Sequence, residues 1–191
     1  MSGDALVTRD LVFAAAAGTA IAAACGLRAF LPLLALGVGV HFGFLHVDNH
    51  AKWIGSTSAI ITLLWATVLE LAADKIPALD HLLDVVALGL RPVAAAIAAW
   101  CTFSGVHPAL AVAAMMLLSA GAMSVHVAKA KLRLGSSMLT MGAANPVISF
   151  MEDAFAAGLS AMAVLAPLAA LVAVAMFTWA LHRAFRVQAL P

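Results

Sequence analysis

Apolar residues run through this chain in blocks of membrane-span length, separated by short polar breaks. Leu11 to Leu45 is too long for one crossing, which takes about 20 apolar residues, and it is interrupted at Gly26-Leu27-Arg28. It reads as two short helices joined by a turn, or as one broken helix. Ile54 to Ala73 is a clear span. The next apolar run starts near Leu82, is kinked at Arg91-Pro92 and continues to Phe103. Pro92 removes one backbone hydrogen bond and clashes with the preceding turn. Pro108 to Val127 follows the breaker sequence Ser104-Gly105-Val106-His107. Pro146 to Phe185 has room for a hairpin of two spans, with Pro167 at the first turn of the second, where its missing N–H costs nothing. The pattern predicts an all-α polytopic membrane bundle of six or seven transmembrane or re-entrant helices, with residues 1–191 forming one integral membrane domain.

Composition supports lipid as the solvent. Of 191 residues, 65% are hydrophobic and 10% charged, and the mean hydropathy is +1.08. Soluble domains carry about 25% charged residues, and a domain of this size leaves roughly 30% of its unfolded surface wet. A net charge of +1 excludes a strongly basic nucleic-acid binder. Cys25 and Cys101 belong to no CxxC pair and read as buried free thiols. Ala22-Ala23-Ala24-Cys25-Gly26 faintly resembles a lipoprotein cleavage box. Asp4 and Asp10 beside Arg9, and the apolar sequence after Arg28, argue against a cleaved leader.

Lysine and arginine in short loops set orientation. Lys129, Lys131 and Arg133 end one span, and Arg183 and Arg186 end the last, so both clusters are expected in the cytoplasm with the C-terminus. Lys75 then faces inward, while His46 to Lys52 and Ser104 to Pro108 face outward. A hairpin at Gly26 places the N-terminus outside; a single broken helix, which Arg9 mildly favours, leaves it inside. Aligning the breakers suggests an internal repeat, with units at about 26–88 and 89–153 followed by a C-terminal helix. In it, Gly26-Leu27-Arg28 and Gly89-Leu90-Arg91 would each open an apolar helix, an arrangement typical of transporters.

Charges carry the candidate chemistry. Glu70 and Asp74 stand at i, i+4, as do Asp80 and Asp84 after Pro77, so each pair shares a helix face. Glu152 and Asp153 lie two turns into a span that Asn145 would cap and Pro146 would start. His126, Lys129 and Arg133 form a basic stripe. An ionised group at a helix centre costs about 2.5–3.5 kcal/mol on insertion scales, so such charges need partners or water. Arg28 and Arg91 suit anion binding, since a guanidinium grips phosphate or carboxylate bidentately, and Asn145 and Ser149 lie at a helix mouth with free N–H donors. Simple pairing of either arginine with Asp80, Asp84 or Glu152 is the competing reading. Glu70, Asp74, Asp80, Asp84, Glu152 and Asp153 are candidate proton- or cation-coupling groups. Asp80-His81-Asp84 lacks the ligand count of a metal site. Gly39 to Gly43 is a GxxxG pattern of the packing kind, and His41, His46, His50 and His107 read as outer-side histidines. No motif names a catalytic residue or a cofactor.

Three strings, Gly26-Leu27-Arg28-Ala29-Phe30-Leu31-Pro32, Glu70 to Pro77 with Asp80 and Asp84, and Asn145-Pro146 with Ser149, Glu152 and Asp153, run through most of the chain. In them the sequence resembles the membrane-protein family known as domain of unknown function 4126 (DUF4126). The resemblance implies a multi-pass protein of a bacterial inner membrane and supplies no activity or substrate. The leading expectation from the residues is a small transporter or channel-like permease for a small polar or anionic solute. The alternatives are a non-catalytic membrane helper or assembly subunit, or an enzyme acting on lipid head groups with its paired carboxylates, and the expected partners are the lipid bilayer and a small anion or anionic lipid head group.

Overall fold

The computed structural model describes the backbone over residues 3–73, 77–141 and 145–188, and side chains over 11–73, 86–136, 138–141, 147–180 and 183. The described residues form seven α-helices: α1 (Gly3–Leu27), α2 (Phe30–His41), α3 (Thr57–Ala73), α4 (Pro77–Thr102), α5 (Pro108–Thr140), α6 (Asn145–Leu165) and α7 (Pro167–Gln188). A 3-10 segment, Asn49–Gly55, precedes α3 and meets it at a bend of 53°. Among the described residues, two helices, Pro108–Thr140 and Val147–Leu165, have the length and hydropathy to cross a bilayer, and the bent pair adds a third if it acts as one span. Leu11–Leu27, Phe30–His41, Val86–Thr102 and Pro167–Ala180 are shorter apolar helices.

The break between α1 and α2 has a local cause. Arg28 N–H still bonds the Ala24 carbonyl at 2.9 Å. Were the helix to continue, Pro32 could not donate to Arg28 and its ring would clash with that carbonyl. Pro32 is tolerated in the first turn of a new helix instead.

Contacts at the far ends show that the chain reverses at this break. Gly18 on α1 lies against Thr102 and Phe103 at the end of α4. Beyond α2, Asp48 N–H bonds Ser104 Oγ at 2.8 Å. Were α1 and α2 collinear, His41 would stand about 34 Å along the axis from Gly18. The seven residues to Asp48 span at most about 24 Å fully extended, and Phe44 and Leu45 fold back to bond the Gly39 carbonyl. So α1 and α2 form a hairpin with Arg28 and Ala29 at its tip. The N-terminus of α1 therefore belongs to the Ser104 end of the bundle, the opposite of the broken-helix arrangement that Arg9 favours.

The remaining helices follow the same two ends. His41 Nδ1 and the Gly55 carbonyl are 2.8 Å apart near the Ser104 end, while Glu70 of α3 reaches the hairpin tip. Val164 of α6 meets Gly39, whereas Asp153 meets Arg28. Helices α6 and α7 turn at Ala166 as the sequence predicts, with Phe155 and Phe177 stacked across the hairpin, ring centroids 4.9 Å apart.

Small residues let these helices approach closely. Ala16, Ala17, Ala20 and Ala24 of α1 and Ala94, Ala95, Ala98 and Ala99 of α4 are buried, and α1 packs on α4, α5, α6 and α7. Bundles in lipid rely on such small-residue contacts because apolar burial drives nothing there. Cys25 and Cys101 are free and buried in this core.

Three sequence expectations are corrected. Helix α5 does not stop at Val127 but runs to Thr140, because the Ala-, Lys-, Leu- and Arg-rich stretch after Val127 propagates a helix well; it ends at Met141 in the left-handed region, φ 52. Gly89-Leu90-Arg91 opens no helix: it lies inside α4, which carries Pro92 in its interior. The structural match between the two Gly-Leu-Arg strings therefore fails at this point. The GxxxG pattern is not one helix face, since Gly43 sits past α2 in a turn with φ +76 while Gly39 packs on Val164.

Candidate functional site

The hairpin tip collects charged side chains from the helices around it. Ending α1 leaves carbonyls without partners, and starting α2 leaves N–H groups without partners. Glu70 on α3 takes two of the donors: its carboxylate accepts from Ala29 N–H at 2.8 Å and Phe30 N–H at 3.0 Å. At the other open end, the Lys129 ammonium on α5 donates to the Leu27 carbonyl at 3.3 Å. Negative charge thus meets the positive end of α2 and positive charge the negative end of α1, the favourable sense for both helix dipoles.

Arg28, between these caps, is 0% exposed. Its guanidinium pairs with the Asp153 carboxylate of α6 and donates to Ser149 Oγ at 3.3 Å, one turn earlier on that helix. Glu152, the neighbour of Asp153, turns instead to α5, where Lys129 lies at 2.9 Å and Arg133 at 3.3 Å. Lys129 therefore serves two purposes, closing the end of α1 and tying α5 to α6. It also lies within electrostatic range of Arg91, Arg28 and Arg133. Arg91 on α4 contacts His126 Nδ1 on α5.

Of the sequence-derived site residues, Arg28, Ser149, Asp153, Glu152 and Glu70 come together around the tip. Arg91 meets His126 in the seam between α4 and α5. Asp80 and Asp84 fall in the first two turns of α4 and Asn145 at the start of α6, with side chains outside the described residues; Asp74 lies outside them altogether. Beside the tip, a crevice lined by Leu27, Val125, Phe155, Leu159 and Phe177 is apolar and has room for about one water. Among the described residues, no three potential metal ligands stand together.

The family described as Domain of unknown function (DUF4126) matches residues 15–187, nearly the whole chain and all three charged strings. The chain belongs to the DUF4126 family. No curated protein and no solved structure matches it.

In this DUF4126 chain the sequence reading left two working residues out of the candidate site. Lys129 and Arg133 were legible as a stripe with His126 at i, i+3 and i+7, a spacing that puts all three on one helix face. The signal that they face inward is their alternation with Lys131, which is exposed, while His126 and Lys129 are buried.

Proposed function

We propose that this protein is a small permease of the bacterial inner membrane that moves a small anionic solute, with the Arg28 hairpin tip as its solute site. The observation that carries this reading is a fully buried arginine at the tip of a hairpin whose two open helix ends are both held by charged side chains from other helices. Transporters place broken-helix ends at the solute site, where reversible polar contacts can exchange for solute and coupling ions. Charges at such depth cost several kcal/mol, and chains retain them where ions or solutes pass. In this reading the seven helices cross or re-enter as an alternating set, and Lys129, Lys131, Arg133, Arg183 and Arg186 put the Arg28 end and the C-terminus in the cytoplasm. Asp74, Asp80 and Asp84 enter it as further coupling carboxylates near the α3–α4 connection.

A thermal-stability screen of the purified protein tests this directly, because a ligand that binds only the folded state raises its apparent stability. A small anion should raise the melting temperature of the wild type and lose that effect in Arg28→Gln. Stabilisation by no anion, metal or lipid head group would favour the second reading, a non-catalytic assembly subunit. What favours that reading is the closed pairing of Glu152 and Asp153 beside a crevice that is small and apolar.

A further inference from the structure

The two adjacent carboxylates of α6 have different surroundings. Glu152 is held between two cations of one neighbouring helix and its side chain is 12% exposed. Removing it would strand Lys129, which also closes the end of α1, so Glu152 is a clamp between helices. Asp153 faces the hairpin tip and is 23% exposed while its partner Arg28 is wholly buried. The acid of this pair thus lies partly at the protein surface and the base does not.

We propose that Asp153 is a tethered stand-in for the solute: a monocarboxylate takes its place on Arg28 and Ser149, and Asp153 picks up one proton from solvent as it leaves. This deepens the permease reading and rests on it for the site. The solute class follows from what the site already holds, a carboxylate gripped by a guanidinium with a serine hydroxyl alongside. The proton follows from charge balance. An incoming anion adds one negative charge beside Glu152 and Asp153, and protonating Asp153 removes one. The total around Arg28 is then unchanged, whatever else that guanidinium touches. Binding without the proton would add a further carboxylate to Glu70, Glu152 and Asp153, which like-charge repulsion disfavours.

The other charged groups around Asp153 fit this assignment. From the tip comes Arg28, from α5 Lys129 and Arg133 by way of Glu152, and from α3 Glu70, engaged with backbone N–H groups. Among the described side chains, α2 contributes only His41, on the Gly55 carbonyl at the far end, and α7 only Arg183, over Trp179. Asp153 is therefore the group at this site with both partial surface exposure and a single described cation to give up. Carboxylate and proton bind as a unit and the pair is electrically neutral.

Titration calorimetry on the purified protein counts the protons, using buffers of different ionisation enthalpy and two probes, lactate for an aqueous source and decanoate for a membrane-borne one. The expected result is one proton taken up per carboxylate bound, with affinity falling about tenfold per pH unit once Asp153 is ionised in the free protein. Asp153→Asn should bind without proton uptake and with a flat pH profile; if that variant does not fold, the wild-type proton count decides alone. Binding of either probe with this stoichiometry supports the inference and tells the source. Affinity flat in pH, no proton uptake, uptake unchanged in Asp153→Asn, or no carboxylate binding at all would overturn it. Vesicle flux of some other anion would then leave the permease reading standing, whereas coupled binding with no flux in vesicles would remove that reading alone.

Discussion

The carboxylate of Glu70 accepts the backbone N–H groups of Ala29 and Phe30, 41 and 40 residues earlier in the chain. An acid in the last turn of α3 is unfavourable for its own helix, whose C-terminal end is negative. Its place is explained by the helix it caps, and the side chain works between elements. Glu70→Ala should therefore lower stability by about 1–2 kcal/mol, the range for a lost helix cap, and Glu70→Gln by less, because an amide oxygen still accepts. Melting temperatures in detergent check this, and equal losses in the two variants would contradict the cap.

Lys129 and Glu152 should be coupled. Removing one partner of a buried pair costs about 3–5 kcal/mol through the charge left behind. Lys129→Met and Glu152→Gln should each destabilise strongly, with Glu152→Gln retaining the pH dependence of solute binding that belongs to Asp153. The double variant should lose less than the sum, by about 0.5–3 kcal/mol, the size of interaction energies between contacting residues. Strict additivity would show that the two side chains do not meet.

Packing at the tip leaves no room for a side chain at position 26. A Cβ there would stand 2.5 Å from the Ala122 carbonyl oxygen and 2.6 Å from Val125 Cβ. Gly26→Ala should cost about 1–3 kcal/mol by overpacking. Gly121→Ala, where nothing lies within 4 Å, should be neutral or stabilise by up to about 1 kcal/mol. A reversed order of the two variants in a thermal melt would mean that α1 and α5 do not pack at this point.

The fold was legible in the sequence wherever a breaker decided the local structure. Pro167 starts α7 and the interruption at Gly26-Leu27-Arg28 ends α1, whereas α4 starts at Pro77, ahead of the apolar run read from near Leu82. The direction of the chain after Arg28 was not legible, because a break and a reversal share the same residues; only contacts with Thr102 and Ser104, which are distant in sequence, decide it. The reach of α5 past Val127 was hidden by its charges, which resemble a span end but propagate a helix. The acidic half of the site was readable from carboxylates in apolar runs. The pairing was not: Arg28 meeting Asp153 in place of Glu152 depends on how α6 is rotated against the tip.

Side-specific labelling of introduced cysteines tests the reversal. Positions 48 and 107 should react from one side of the membrane and position 131 from the other, and a reporter at position 3 should share the side of 107. A reporter at position 3 that reacts on the side of 131 would restore the single broken helix.

Proton-linked lactate movement in reconstituted vesicles addresses the central claim most directly, with internal pH followed after an inward lactate gradient is imposed. The expected result is saturable internal acidification above that of protein-free vesicles, abolished in Arg28→Gln at equal amounts of folded protein. Acidification no greater than in protein-free vesicles, or the same in Arg28→Gln as in the wild type, would contradict a permease built on the hairpin tip.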